Sequence, residues 1–317
     1  MKPDIPFATI EKNGTATEYR GELQKFHSLS DMQKYVRSTV DKTLVFMNPF
    51  RTIGEREGDY DAHGDEPILA IDVGETHATS REALMEQIPD IHVELERLIK
   101  PQLDDEEYAK IAREIIETEI GGGNIAQVIF SQPFSGKIHN YTSEIARAIY
   151  KNLLKQRGQY MTFHFSDGEN DFLGATPEQH LCIEGDTVTM NPIAGTLKKI
   201  DPEDPRPLRE RLIDFLSNSK ETYELFQVLD EELKMMETLC DGGGHIEGPF
   251  LRQNGAVIHT EYRLVGKRKK DLDSLDALRQ TLHAPTLVGS PEESASQIIK
   301  KYETQSRGYY GGEIGIL

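Results

Sequence analysis

The chain has 317 residues, with 54 Asp plus Glu against 36 Lys plus Arg, and a formal net charge of -18. So acidic a surface repels polyanions, which argues against nucleic acid or anionic membrane as partners and favours a divalent cation held by carboxylate oxygens. Only two cysteines occur, Cys182 and Cys240, in no C-x-x-C pair, and no apolar run could cross a bilayer, so a reducing, cytoplasmic location is expected.

Residues 1–75 mix short strand-like runs, KTLVFMNPF and EPILAIDV, with Gly- and Asp-rich breaks such as REGDYDAHGDEP. From about 79 to 120 the pattern predicts helix: SREALMEQI opens on a serine cap, and DDEEYAKIAREIIETEI spaces Tyr108, Ile111, Ile115 and Ile116 as a helix does. GGGN should stop that helix, with IAQVIFSQPF following as a strand. YTSEIARAIYKNLLKQRG is a further amphipathic helix, and MTFHFSDG, DFLGATPE, HLCIEGD and TVTMNPIAGT are strand-sized pieces. RPLRERLIDFLSNS, SLDALRQTL and PEESASQIIKKYE predict helices, while AVIHTEYRLVGKR and the closing GYYGGEIGIL predict strands. Strands and helices come in mixed clusters without strict alternation, which favours α+β architecture over a doubly wound parallel sheet. No repeat, linker or domain boundary interrupts the chain, and no glycine-rich fingerprint sits between a strand and a helix.

The stretch SNSKETYELFQVLDEELKMMETLCDGGG, residues 217–244, predicts a long helix. Asn218 followed by Glu221 has capping-box spacing, and the helix should run to the glycines at 242–244. Leu225, Val228, Leu229, Leu233, Met236 and Cys240 make its core stripe. Glu221 and Glu224 extend that stripe into the first turns. A carboxylate facing inward is costly unless paired, so the acids are either a metal site or a solvated cap favoured by the helix dipole.

The motifs QVIFSQ, ATPE, PIAGT, KETYELFQVLD, VIH, TLVGSP and RGYYGG occur in the order and approximate spacing of the chorismate-utilising enzymes. The chain therefore resembles that family, which includes anthranilate synthase component I, aminodeoxychorismate synthase, isochorismate synthase and salicylate synthase. MNPFRTIGEREGDYDAHGDEP, LDEELKMMETLCDGGG, HTEY and HAPTLVGSPEESA look most like its phenazine-type branch, which makes 2-amino-2-deoxyisochorismate. The implied fold is α+β, with mixed antiparallel sheets packed as a sandwich and helices outside.

The resemblance implies roles for particular residues. The E-x-x-E pair would hold Mg²⁺ against the ring carboxylate of chorismate, with Glu224 as direct ligand and Glu221 assisting. Mg²⁺ keeps several waters and accepts one or two carboxylates plus ligand oxygens. Glu178 matches the acid that protonates the departing C4 hydroxyl, a step that needs a carboxyl kept neutral by its site. Outside the family pattern it reads as a turn glutamate after proline. Gln127 stands where water-adding members carry a lysine base, so it points to ammonia, whose neutral form already presents a lone pair. Otherwise it is a polar residue at a strand edge. Gly195 and Thr196 match the loop that meets the substrate, Thr286 and Tyr310 match residues lining the pocket, and His259 matches a histidine near the ring, although a lone histidine ending a strand is more often structural. Leu197, Lys198 and Lys199 replace the arginine-bearing variant that follows PIAGT in other members.

The resemblance further implies Mg²⁺-dependent amination of chorismate at C2 with loss of the C4 hydroxyl, giving 2-amino-2-deoxyisochorismate or, after pyruvate elimination, anthranilate. Ammonia would come from a glutamine amidotransferase subunit or domain, and a homodimer is compatible with the family. A single chorismate-binding domain over residues 1–317 is expected. Family segments that would follow RGYYGGEIGIL, including an arginine, a glycine-rich contact and a second pair of Mg²⁺-binding acids, have no counterpart, so a domain incomplete at its C-terminal end and lacking an amidotransferase domain is expected. The alternatives are an inactive remnant or partner-binding subunit, or an isochorismate synthase of the same fold.

Overall fold

The computed structural model describes residues 5–39, 42–156 and 158–317. Its framework is a seven-stranded sheet in which every ladder is antiparallel. Strands β1 (Phe7–Lys12) and β2 (Thr15–Phe26) are joined by a two-residue turn at Asn13 and Gly14, both in the left-handed region, at φ 54° and 84°. Asn-Gly suits such a turn, because its twist matches that of the flanking strands. Helix α1 (Leu29–Ser38) is capped by Ser28 and followed by β3 (Leu44–Asn48) and β4 (Ile68–Ser80). Inside the sheet, β4 lies between β2 and β3, and its first five residues are all buried, as a two-sided central position requires.

The stretch expected to be helical from 79 to 120 is interrupted. Helix α2 (Arg81–Gln87) is followed by an extended β5 (Leu95–Pro101), and only then by α3 (Asp105–Glu114) with a π turn to Ile120. IAQVIFSQPF is likewise split, into a short β6 (Gln127–Val128) and a later β7 (Phe134–Ile138) that pairs with β5. Every residue of β5 is exposed, so no amphipathic period marked it as a strand. Helix α4 (Ser143–Lys155) lies where its pattern placed it. Strands β8 (Met161–Ser166) and β9 (Asp171–Thr176) complete the far edge of the first sheet.

The second sheet contains β10 (Gln179–Glu184), β11 (Thr187–Asn191) and β12 (Ile193–Lys198). After helices α5 (Leu208–Ser217) and α6 (Ser219–Leu239) it gains β13 (Cys240–Asn254) and β14 (Val257–Arg268). One flank of β14 pairs with β11 and β12 in succession, and the other pairs with β13. The glycines at 242–244 therefore open a strand. The helix ends before them, at Leu239.

Leu225, Leu229, Met235, Met236 and Leu239 of α6 pack against Val188, Met190, Tyr262 and Leu264 of the second sheet. Helix α7 (Ser274–Gln280) is shared. Its Ala277 joins that cluster, while Leu275 and Leu278 pack with Leu29, Met32, Leu44, Phe46 and Ile68 of the first sheet and α1. Helix α8 (Pro285–Val288), strand β15 (Gly289–Ser290), helix α9 (Glu292–Tyr302) and β16 (Glu313–Ile316) close the described chain, β16 pairing with β3.

Arg307, between α9 and β16, ties this last section together. Its buried guanidinium donates to both Glu303 carboxylate oxygens, at 2.8 and 2.6 Å, to the Leu287 carbonyl at 2.7 Å and to the Ile129 carbonyl at 2.6 Å. Truncating it strands a buried carboxylate at Glu303 and two carbonyls. Arg307→Ala is expected to cost about 3–5 kcal/mol in urea unfolding, and a loss below about 1 kcal/mol would refute the clamp.

Candidate active site

The N-terminal end of α6 is fixed by Asn218, whose Oδ1 accepts from the Lys220 N–H at 2.9 Å. Glu221 and Glu224 follow on the flank that continues as Leu225, Val228 and Leu229, and their side chains are 20% and 34% exposed. Lys220 Nζ lies 3.8 Å from a carboxylate oxygen of each, too far for a hydrogen bond. Lys220 therefore forms only a loose ion pair with each acid, and its exposed ammonium leaves their lone pairs open to another partner.

Gly195 is built against this acid pair. It is buried, at φ +59°, and a Cβ there would lie 2.8 Å from Glu221 Oε2 and 2.9 Å from Phe215 Cζ. Only glycine permits both the conformation and the approach. The Gly195 carbonyl sits 2.9 Å from His259 Nδ1; a carbonyl can only accept, so Nδ1 carries the proton. Thr196 Oγ1, on the exposed side of the loop, is 3.3 Å from the same nitrogen, and Asn254 Nδ2 is 3.5 Å from Nε2. Both ring nitrogens therefore face protein groups, and His259 holds the Gly195–Thr196 loop in place. The segment that follows is clamped by buried Arg211, which donates to the Lys198 and Lys199 carbonyls at 2.8 and 2.6 Å.

Further along α6 a second group of acids is enclosed. Glu178, between β9 and β10, accepts one hydrogen bond, from Thr286 Oγ1 of α8 at 2.8 Å, and its Oε1 is buried without a partner. Burial pushes its carboxyl up to about 8, the Thr286 hydroxyl pulls it back, and the charge of Glu261 adds to the rise. Glu178 is thus a protonated acid at neutral pH. Gln127, half-buried in β6, is paired with Ser290 of β15, and Ser290 Oγ donates to Glu231 Oε1 on α6 at 2.9 Å. Gln127, Ser290, Thr286 and Glu178 so gather around the middle of α6. Arg307 fixes their spacing, since it grips the Leu287 and Ile129 carbonyls, one next to Thr286 and one two residues from Gln127.

From Glu224 to Glu231 the helix advances about 10 Å at 1.5 Å per residue. One helix therefore carries both the open acid pair and the enclosed group. Tyr310 lies beside Arg307, its ring 5.8 Å from the guanidinium. It is 53% exposed and lines a cavity of about 400 Å³ with Phe130, Tyr302, Glu303 and Arg307.

Pattern reading missed Glu231, Glu232 and Glu292, which are 7%, 0% and 2% exposed. A signal for Glu232 was present: it is three residues after Leu229, three before Met235 and four before Met236, all buried. Leu233, assigned to the stripe in its stead, is only partly buried. Glu292 is paired with Arg56 Nη1 at 2.6 Å, yet burial still pushes it up to about 8.

Residues 55–317 match the family described as chorismate binding enzyme. The chain belongs to the chorismate-binding enzyme family. Among its relatives are the phenazine-specific anthranilate synthases of Pseudomonas chlororaphis, 39% identical over 303 residues, and of Pseudomonas fluorescens, 37% identical over 302. Both alignments cover 94% of this chain and 46% of the relative. The chain thus spans about half the length of the curated relatives it matches. Anthranilate synthase component 1 of Lactococcus lactis is 32% identical over 68% of the chain and 45% of that protein. The fold matches the menaquinone-specific isochorismate synthase of Escherichia coli at a TM-score of 0.74 and 17% identity, over 99% of this chain and 77% of that one. It also matches anthranilate synthase component I of Streptococcus pneumoniae at a TM-score of 0.70 and 19% identity, over 99% and 79%. As in this family, mixed antiparallel sheets with packed helices make an α+β enzyme fold. No helix among the described residues is long and apolar enough to cross a membrane.

Raised carboxyls have a thermodynamic signature. Glu178 and Glu292 hold protons in the folded chain up to about pH 8 and release them near 4.5 when unfolded. Between those limits the folded state binds more protons, so this contribution to stability is full below about pH 4.5 and is lost as pH rises through 8. The melting temperature is expected to fall from pH 5.5 to pH 8.5 by less in Glu178→Gln than in the wild type. Equal slopes would place the Glu178 carboxyl in solvent.

Proposed function

We propose that the chain aminates chorismate at C2 with loss of the C4 hydroxyl, giving 2-amino-2-deoxyisochorismate, or anthranilate where pyruvate is then eliminated. The observation that carries this reading is Glu178, an enclosed carboxyl with one hydrogen-bond donor and a proton retained at neutral pH. Such a group is suited to protonating a leaving hydroxyl, because hydroxide departs poorly unless it leaves as water.

Glu224 and Glu221 would hold Mg²⁺. The donor set suits it: two carboxylates on one helix flank, loosely paired with the exposed Lys220 at 3.8 Å, facing a loop whose glycine leaves space beside Glu221. Among the described residues no group of three or more His, Cys, Asp or Glu side chains converges to enclose a metal, so substrate oxygens and water would complete its shell. Bound there, the ion would neutralise the ring carboxylate of the substrate. Gly195 and Thr196 border the same space, and His259 keeps them there. Thr286 orients the Glu178 carboxyl. Tyr310 would meet the substrate from the side of its cavity. Glu178 gives its proton to the departing oxygen and becomes a carboxylate.

Gln127 favours ammonia as nucleophile. Its amide takes no proton from an incoming water, and neutral ammonia needs none removed before attack. The amine formed at C2 sheds a proton, which balances the one Glu178 has given. Ammonia would be supplied by a glutamine amidotransferase subunit or domain, and the chain would act in the cytoplasm. The other reading, isochorismate synthesis, is favoured by the shared fold with the isochorismate synthase above and opposed by the amide at 127.

Incubation with chorismate, Mg²⁺ and ammonium separates them by product. The aminated product is expected, with kcat lowered about 10²–10⁴-fold in Glu178→Gln and the Mg²⁺ requirement raised at least about tenfold in Glu224→Gln. Isochorismate as the sole product would overturn the assignment of Gln127. No chorismate binding under any of these conditions would leave a partner-binding or inactive chain.

A further inference from the structure

Five carboxyls surround the middle of α6, and three of them have cations. Glu292 on α9 is paired with Arg56 at 2.6 Å, Glu261 on β14 with Arg252 of β13 at 2.8 Å, and Glu231 with Lys234 one turn along α6 at 3.2 Å. Glu178 and Glu232 have none. Glu232 is completely buried and neither of its oxygens meets a donor; Glu178 Oε1 is also orphaned. Glu232 lies on α6, Glu178 is bonded to Thr286 of α8, and α6 packs against α8 and β15, so the three unpartnered oxygens belong to packed, neighbouring elements. They make no cation cage, since no group of three metal-binding side chains converges among the described residues. A carboxyl with neither cation nor donor is held neutral: burial raises Glu232 well above the usual range, and the charges of Glu178 and Glu292 raise it further. If Glu232 were only packing, a leucine would serve as well at lower cost.

We propose that Glu232 is a positioning residue for Glu178, its carboxyl O–H donating a hydrogen bond to the Glu178 carboxylate that forms once that acid has given up its proton. The proposal rests on Glu178 acting as the acid in the reading above. Before proton transfer Glu178 is neutral and accepts a hydrogen bond more weakly than its carboxylate does, so a Glu232 donor stabilises it less than after transfer. After transfer Glu178 is an anion in an enclosed site, with Thr286 as its single donor. A second donor there lowers the energy of the state in which the hydroxyl has left, which is where stabilisation accelerates the step. Glu232 keeps its own proton throughout, and the proton from the new amine returns Glu178 to the acid form. No other reactant is needed.

Infrared titration of the protonated-carboxyl band, assigned to Glu178 by its loss in Glu178→Gln, tests this without substrate. Glutamine at 232 keeps an N–H donor where the acid O–H was, whereas leucine keeps only bulk. Glu232→Leu is expected to raise the Glu178 midpoint by about one pH unit or more, the worth of a hydrogen bond to a charged group. Glu232→Gln is expected to return it close to the wild-type value. Melting curves identify any variant that has lost its fold. An unmoved midpoint in folded Glu232→Leu, or equal shifts in the two variants, overturns the proposal. Turnover with chorismate, Mg²⁺ and ammonium gives a separate reading: Glu232→Leu should lower kcat about tenfold at unchanged KM, with Glu232→Gln recovering most of it. A wild type that turns over no chorismate while the infrared contrast persists refutes the functional assignment and sustains the pair. Normal turnover in Glu232→Leu with an unmoved midpoint does the reverse.

Discussion

Burying a carboxyl beside hydrocarbon is the constraint on which this structure turns. Helix α6 places acids on the same flank as its core leucines and methionines, first Glu221 and Glu224, then Glu231 and Glu232. An ionised carboxylate cannot remain in such surroundings without a cation or several donors. The molecule meets this demand in three ways. Glu231 receives Lys234 and the Ser290 hydroxyl, Glu178 and Glu232 keep their protons, and Glu221 and Glu224 stay partly open with Lys220 3.8 Å from each. The first solution is structural. The second keeps protons on buried acids, and the third leaves two half-open carboxylates with only the exposed Lys220 beside them.

The rest of the fold serves to keep those acids enclosed. The second sheet offers α6 an apolar floor through Val188, Met190 and Leu264, while the α8–β15 segment covers its other flank. That segment is too short to hold itself, with four helical residues and two in strand. It is held from outside, by the ladder to β6 and by Arg307, which binds the Leu287 and Ile129 carbonyls at once. Gln127 and Thr286 are fixed relative to each other because a single guanidinium spans them. Planar, multiply donating arginine suits the task; lysine would present one centre of charge and lose the geometry.

Periodicity made the strongly amphipathic elements legible before any coordinates: α4, α6, α7 and α9, the strands of the second sheet other than β13, and the α+β class. The motifs gave the family, and with it the candidates that α6, β6 and α8 bring together. Three things resisted. Strand β5 has no buried face and β13 few buried residues, so neither carries an alternating pattern, and both owe their form to a partner strand. The boundary at Leu239 was displaced towards the glycines because these flex equally well at a helix end and in a strand. Glu232 was passed over because a charged residue in phase with a core stripe is normally assigned to solvent; the structure breaks that expectation where buried acids cluster. Tyr310, which its motif grouped with the others, lines a cavity together with Arg307.

Gln127 and Glu178 together say more about the nucleophile than either does alone. Either nucleophile, water or ammonia, sheds one proton as Glu178 gives one, but water must lose its proton to a base as it attacks. Addition of ammonia, under the reading offered here, returns the proton it costs, because the amine formed at C2 sheds one as Glu178 needs one. An acid replenished in that way would need no exchange with bulk solvent through its buried oxygen, and Glu178 has one oxygen on the Thr286 hydroxyl and the other, Oε1, buried and unpartnered. An uncharged amide at 127 adds no competing titration to that enclosure, whereas an ammonium group there would pull the neighbouring acids down and ionise them. Under that reading the neutral side chain and the high-pKa acid are two aspects of one requirement: the proton would have to remain on Glu178 until the hydroxyl departs.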